Sequence, residues 1–95
     1  MIARVWRGAT SAADADAYAA YVGRCLEGER ALVLQRVDDE RAEIETIIFF
    51  DSLGDVRAFA GDDIERARFY PEDDRYLVER ELSVTHYDVP VFSAR

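Results

Sequence analysis

The order in which two kinds of apolar periodicity alternate along the chain is its most constraining feature. Short segments with the period-two or continuously apolar pattern of strands lie at 1–7, 31–37, 42–50 and 84–92. Segments with the apolar spacing of a helix lie at 12–26 and 53–60. The resulting order, β-α-β-β-α-β, predicts an α+β fold of the ferredoxin-like, split βαβ type with an antiparallel sheet.

Polar and glycine residues mark where the helices begin and end. Ser11 and Ser52 each precede a helical segment and have an acidic residue three positions later, a spacing typical of N-terminal capping. Gly61 suits the left-handed conformation that commonly follows a helix. A further short helix is predicted at 64–69, because Asp62 and Asp63 could cap it and Pro71 prevents its continuation.

The length of the chain favours one domain, 1–95, that pairs with a second copy. With 95 residues the chain has room for a single core and buries only about two-thirds of its unfolded surface. The helices can cover one face of the sheet, while several strands also carry apolar residues on the other face. We therefore expect a homodimer in which a twin chain covers that face.

The charge balance argues against several classes of partner. Twenty acidic residues outnumber twelve basic ones, giving a net charge of −8. Binding to phosphate backbones or to an anionic membrane surface requires a basic stripe, so we expect neither nucleic acid nor membrane as a partner. The chain has no signal-like start and no apolar run near the ~20 residues of a membrane span, and we expect a cytoplasmic protein.

His86 is the first candidate for chemistry, because histidine is the side chain that ordinarily titrates near neutral pH. It lies in the last predicted strand and could remove a proton from a phenol as a general base. The alternative is a structural histidine, hydrogen-bonded across the sheet or the dimer seam.

Five further residues could bind a substrate. Arg4 and Trp6 share one face of the first strand and could hold a flat anion, with the guanidinium on the charge and the indole stacked on the ring. Tyr18 and Tyr21 on the first helix could line a substrate pocket, and so could Tyr70 in the proline turn. The alternative for the arginine is an ion pair, and for the four aromatic residues a place in the core or an anchoring role in the turn.

The acidic runs do not predict a metal site. The runs at 62–63 and 72–74 lack the alternating spacing and the glycine of a calcium loop, so roles in caps and turns account for them. Cys25 is the only cysteine, which excludes an intrachain disulfide and a thiolate cluster within one chain. No motif for a cofactor occurs, and we expect none.

Several segments together resemble one known family. They are IARVWRG at 2–8, AY at 17–18 with Tyr21, FDSL at 50–53, RAFAGDD at 57–63, YPEDDR at 70–75 and VTHYDV at 84–89. In these segments the chain resembles the antibiotic biosynthesis monooxygenase-like superfamily, the dimeric α/β barrels, and within it a bacterial subgroup largely without assigned activity.

The resemblance implies a homodimer whose two sheets form a barrel, with a pocket between the sheet and the helices of each subunit. It also implies a cofactor-independent monooxygenase acting on a small, electron-rich aromatic compound. His86 would then be the base, and Arg4 and Trp6 would hold the substrate anion. The alternative is a non-catalytic dimer that binds a small ligand or a protein partner, because a fold does not fix a function.

Overall fold

The computed structural model describes residues 1–94 and shows an α+β fold with a five-stranded antiparallel sheet. In chain order the elements are β1 Ile2–Ser11, a 3-10 turn Ala12–Asp14, α1 Ala15–Cys25, β2 Arg30–Val37, β3 Arg41–Phe50, α2 Leu53–Ala60, α3 Asp73–Tyr76, β4 Leu77–Arg80 and β5 Thr85–Asp88. None of the helices in this part of the chain has the length and apolar character needed to cross a membrane.

The first strand lies at the centre of the sheet. The strands lie in the order β2-β3-β1-β4, and β5 pairs with the same edge of β1 as β4 does. Gly8 of β1 is opposite Arg80 of β4, whereas Arg4 is opposite His86 of β5. The last two strands therefore form one interrupted edge, broken at residues 81–84. This arrangement is compatible with a small ferredoxin-like fold.

One face of the sheet, here called the inner face, packs against the helices. Side chains alternate along a strand, so Ile44 and Ile48 of β3 point to the same face as Trp6 of β1. Ile44 and Ile48 share a core with Tyr18 of α1 and Val56 of α2. Apolar residues at helical spacing on α1 form the buried layer as predicted, whereas on α2 only Val56 is fully buried and Leu53, also expected in the buried stripe, is exposed.

The opposite face, here called the outer face, carries apolar side chains at one end and charged ones at the other. Leu32 of β2 is 48% exposed and Tyr87 of β5 is 50% exposed. Phe49 of β3 lies edge-on to Phe92 on this side. The helices of residues 1–94 all lie on the inner face, so they do not cover these apolar groups.

The first strand is longer than the sequence predicts. It continues through Gly8 to Ser11 instead of ending at Arg7. A side chain at Gly8 would lie 2.5 Å from Cη2 of Trp6, so the glycine makes room for the indole within the strand. The predicted cap at Ser11 is absent, because its side chain accepts no cap hydrogen bond and the α-helix begins at Ala15.

The second helix follows the prediction more closely. The Ser52 side chain accepts a hydrogen bond from the Asp55 amide at 3.1 Å, which caps the helix as predicted. Gly61 follows the helix with a φ of 88°, in the left-handed region. The strands predicted at 31–37 and 42–50 are confirmed within one residue at each end.

The predicted helix at 64–69 is wrong. This segment is irregular and pairs with the break in the edge strand, through a bridge between Arg66 and Ser83. The Ala67 amide donates to the Leu82 carbonyl, and the Val84 amide donates to the Glu65 carbonyl. These non-local backbone bonds replace the local bonds of a helix. The strand predicted at 84–92 is correspondingly shorter, and β4 was not predicted.

Candidate functional site

A cavity of about 40 Å³ lies between the inner face and the helices. Four of the six residues predicted to act in substrate binding or catalysis line it, namely Arg4, Trp6, Tyr18 and Tyr70. Its other walls are Val22, Leu26, Thr46, Ile48, Phe59, Arg68, Asp73 and Val84. His86 and Tyr21 do not line the cavity, although each contacts a residue or segment that does.

Arg4 is a buried cation held by backbone carbonyls. It is 3% exposed, and it donates hydrogen bonds to the carbonyl oxygens of Ile64 and Arg66. Within residues 1–94 none of the ion pairs includes Arg4. Burial lowers the pKa of Arg4, and the nearby Arg68 guanidinium also lowers it. Buried charges are ordinarily paired, so this guanidinium is suited to receive an anion.

His86 contacts Arg4 and lies outside the cavity that Arg4 lines. The Nε2 atom of His86 is 3.2 Å from Nη1 of Arg4. A guanidinium can only donate, so Nε2 is the acceptor and the ring proton is on Nδ1. Burial and the charge of Arg4 both lower the pKa of His86, which keeps the ring neutral. The histidine therefore has the protonation state of a base, but Arg4 stands between it and the cavity.

This contact predicts a pH dependence of stability. The folded-state pKa of His86 is lower than its unfolded value, so the unfolded chain binds more protons as the pH falls below about 6.5. Stability is therefore lost between that pH and the folded-state pKa, at no more than about 1.4 kcal/mol per pH unit. Urea unfolding of wild type and His86→Gln between pH 5 and 7.5 should show this slope in wild type only. Equal slopes in both proteins would contradict the assignment.

The aromatic rings of Trp6 and Tyr70 form two walls of the cavity, and the polar atoms of the two side chains differ in their hydrogen bonding. The Trp6 indole N–H donates to the Glu81 carbonyl at 2.8 Å, which fixes the ring. The Tyr70 hydroxyl is buried and has no hydrogen-bond partner in residues 1–94. Burial raises the pKa of Tyr70, so this hydroxyl retains its proton. A buried hydroxyl without a partner is destabilising unless a ligand accepts its hydrogen.

The tyrosines of α1 hold the segment that follows the proline turn. The Tyr18 hydroxyl donates to Oδ1 of Asp73 at 3.0 Å, and the Tyr70 amide donates to Oδ2 at 2.7 Å. The Tyr21 hydroxyl accepts a hydrogen bond from the Glu72 amide at 3.1 Å. Burial and the Asp73 carboxylate raise the pKa of Tyr18 far above its ordinary value. These two residues therefore anchor the cavity wall, and Tyr18 also lines it.

Arg68 is a cavity residue that the sequence did not single out. Its Nη1 atom donates to the Phe59 carbonyl at 3.0 Å. Its Cζ atom lies 4.9 Å from the ring centroid of Phe59 and 5.4 Å from that of Tyr70. Only the position of Arg68 directly before two aromatic residues in the run RARFY, at 66–70, could have suggested this stacking.

The charges around the cavity favour an anion. Two guanidinium groups, those of Arg4 and Arg68, line it, and the one carboxylate among its lining residues, that of Asp73, already accepts two hydrogen bonds. The volume of about 40 Å³ suits one to a few water-sized groups, whereas a benzene ring requires a cavity of order 150 Å³. An aromatic ligand therefore needs the cavity to open. In residues 1–94 no cluster of three or more potential metal ligands occurs.

Comparison with models of known protein families and with curated proteins gives no match.

Proposed function

We propose that the protein binds a small aromatic anion between the inner face of its sheet and its helices. The observation that carries this proposal is the buried guanidinium of Arg4, which pairs with none of the carboxylates of residues 1–94. The Tyr70 hydroxyl is a second buried donor that finds no acceptor in the described part of the chain, and Trp6 and Phe59 provide flat apolar walls. The family resemblance, in which a pocket lies between sheet and helices, supports the same location.

Replacing Arg4 tests this function. We expect Arg4→Gln to weaken benzoate binding about 10- to 100-fold, because a charge-assisted hydrogen bond contributes about 1.5–3 kcal/mol. Fluorescence titration can follow binding, since Trp6 is the only tryptophan and lines the cavity. Arg57→Gln is the matched control, because Arg57 is exposed on α2 and lies outside the cavity.

The neutral analogue benzamide separates charge recognition from a general loss of structure. Wild type should prefer benzoate to benzamide, and Arg4→Gln should lose that preference while keeping its residual affinity for both. The proposal is wrong if wild type binds benzoate no better than benzamide.

Catalysis by a cofactor-independent monooxygenase is the second candidate, and the neutral state of His86 favours it. In this reaction a phenol loses its proton to the imidazole, and the resulting phenolate transfers an electron to molecular oxygen. Arg4 would stabilise the phenolate, and it would have to move aside from Nε2 to give His86 access to the proton. Oxygen uptake with hydroquinones and anthrones tests this candidate against His86→Ala. Uptake that equals the rate in buffer for every compound would leave only the binding function.

We also propose that two copies pair through their outer faces, which would complete the split βαβ arrangement as a dimeric α/β barrel. The apolar end of this face, formed by Leu32, Ile47, Phe49 and Tyr87, has the composition of an interface core. The charged end contains the ion pair between Arg7 and Glu45, at 2.9 Å, and resembles a polar rim. Sedimentation equilibrium at micromolar concentration should give the mass of two chains.

A further inference from the structure

The cavity has a larger neighbour on the surface. A groove of about 420 Å³ runs between the turn after α1, the end of β3 and α2. Phe50 forms part of its floor, Phe49 also lines it, and the exposed ion pair of Arg30 with Asp51, at 2.8 Å, lies at its solvent-exposed side. Phe59 and Arg68 line both the groove and the cavity, so these two side chains separate the two spaces.

Of the two separating side chains, Arg68 is the one free to move. Phe59 is half-buried and packs against Phe50, with ring centroids 5.5 Å apart. Arg68 is exposed, and it makes a single hydrogen bond and no ion pair within residues 1–94. Its remaining contacts are stacking on Phe59 and Tyr70, which is weak at an exposed position. A change of its rotamers therefore joins the two spaces at little cost.

We propose that the cavity and the groove form one binding site for an elongated aromatic carboxylate, and that Arg68 is the movable wall between them. The proposal rests on the anion-binding function argued above and adds the shape of the ligand and its route of entry. The carboxylate binds Arg4 and the Tyr70 hydroxyl at the inner end. The rings lie along Phe59 and over the floor of the groove, and the displaced guanidinium of Arg68 remains near enough to contribute a second positive charge.

The ligand class follows from the two ends of this joined site. The inner end offers the donors of Arg4 and Tyr70, and each oxygen of the Asp73 carboxylate there already accepts one hydrogen bond. The middle is aromatic, and the outer end is polar and open to solvent. A flat molecule longer than one ring, with its negative charge at one terminus, matches this sequence of environments.

Quenching of Trp6 fluorescence by acrylamide tests the wall without any ligand. Arg68→Ala should increase the quenching constant at least twofold, because it joins the cavity, and with it the indole, to the open groove. Arg57→Ala removes the same charge from an exposed site and should leave quenching unchanged. Arg68→Lys retains the charge and loses the planar stacking, so it should behave like Arg68→Ala. Unchanged quenching in Arg68→Ala overturns the role of Arg68.

Binding of biphenyl-4-carboxylate tests the ligand class. Wild type should bind it at least tenfold more tightly than benzoate and more tightly than 4-phenylbenzamide. In stopped-flow measurements Arg68→Ala should associate about tenfold faster, because the open state is then the dominant one. Equal affinity for biphenyl-4-carboxylate and benzoate overturns the joined site while the anion-binding function stands. A different result would be that neither carboxylate binds, although Arg68→Ala still increases the quenching of Trp6. That result overturns the anion-binding function and the ligand assignment together.

Discussion

Replacing Asp73 by alanine is expected to lower the free energy of unfolding by about 3–5 kcal/mol. The Asp73 carboxylate is 2% exposed and accepts hydrogen bonds from the Tyr18 hydroxyl and the Tyr70 amide. Each hydrogen bond to a charged group contributes about 1.5–3 kcal/mol, and the substitution also leaves the Tyr18 hydroxyl buried without a partner. A domain of this size has about 5–15 kcal/mol of stability in total, so the loss is a large share of it.

Urea unfolding followed by circular dichroism measures this effect, and the neighbouring acid supplies the control. Asp74 has a side chain that is 92% exposed and pairs with Arg80 at 2.7 Å. Asp74→Ala makes the same change in charge and should cost no more than about 1 kcal/mol. Asp73→Asn, which keeps the shape and one acceptor oxygen, should fall between the two. Similar losses for Asp73→Ala and Asp74→Ala would refute the anchoring role.

A single charge on the outer face should convert the proposed dimer into monomers. Leu32 lies opposite Ile47 on the uncovered apolar surface, and a two-fold axis repeats every substitution in the partner copy. Leu32→Asp would bury two unpaired carboxylates per dimer, each at a cost of about 2 kcal/mol, which corresponds to a roughly thousandfold weaker association. Because Leu32 is exposed in the single chain, the fold itself should be retained.

Leu53→Asp is the matched control for the dimer. Leu53 is 45% exposed, close to the 48% of Leu32, but it lies at the start of α2, away from the sheet. An acidic residue is favourable in the first turn of a helix, so this variant should remain folded and dimeric. Sedimentation velocity distinguishes the outcomes. A wild type that sediments as one chain, or a Leu32→Asp variant that stays dimeric, would rule out pairing through this face.

The sequence predicted the parts of the fold that depend on local periodicity. The hairpin of β2 and β3 and the capped helix α2 follow from alternation, from Ser52 and from Gly61, all of which act within a few residues. The shared face of Arg4 and Trp6 on the first strand also follows from a period of two. A role in binding a flat anion was one of two interpretations of this pair, and the structure brings both residues together with Tyr18 and Tyr70 around one cavity.

The parts that local patterns did not predict depend on partners distant in sequence. The 64–69 segment contains residues compatible with a helix. Its Ile64 and Arg66 carbonyl oxygens, however, accept hydrogen bonds from Arg4, which lies 60 and 62 residues earlier in the chain. Likewise, Asp73 was interpreted as a turn residue, because nothing near it in the chain indicates that Tyr18 will reach it across 55 residues. His86 was placed correctly on the last strand, but its position behind Arg4 depends on the pairing of β5 with β1.

The break in the edge strand has a practical consequence for protein engineering. Irregular segments at a sheet edge usually accept extra residues, because lengthening a surface loop costs little. Here the Glu81 carbonyl holds the Trp6 indole, the Leu82 carbonyl holds the Ala67 amide, and the Val84 amide is bonded to the Glu65 carbonyl. An epitope tag or a fluorescent reporter inserted at 81–84 would break these hydrogen bonds. The exposed hairpin at 38–40, between β2 and β3, is the safer place to graft one, because a single backbone bond, from the Ala12 amide to the Glu40 carbonyl, ties it to a distant part of the chain.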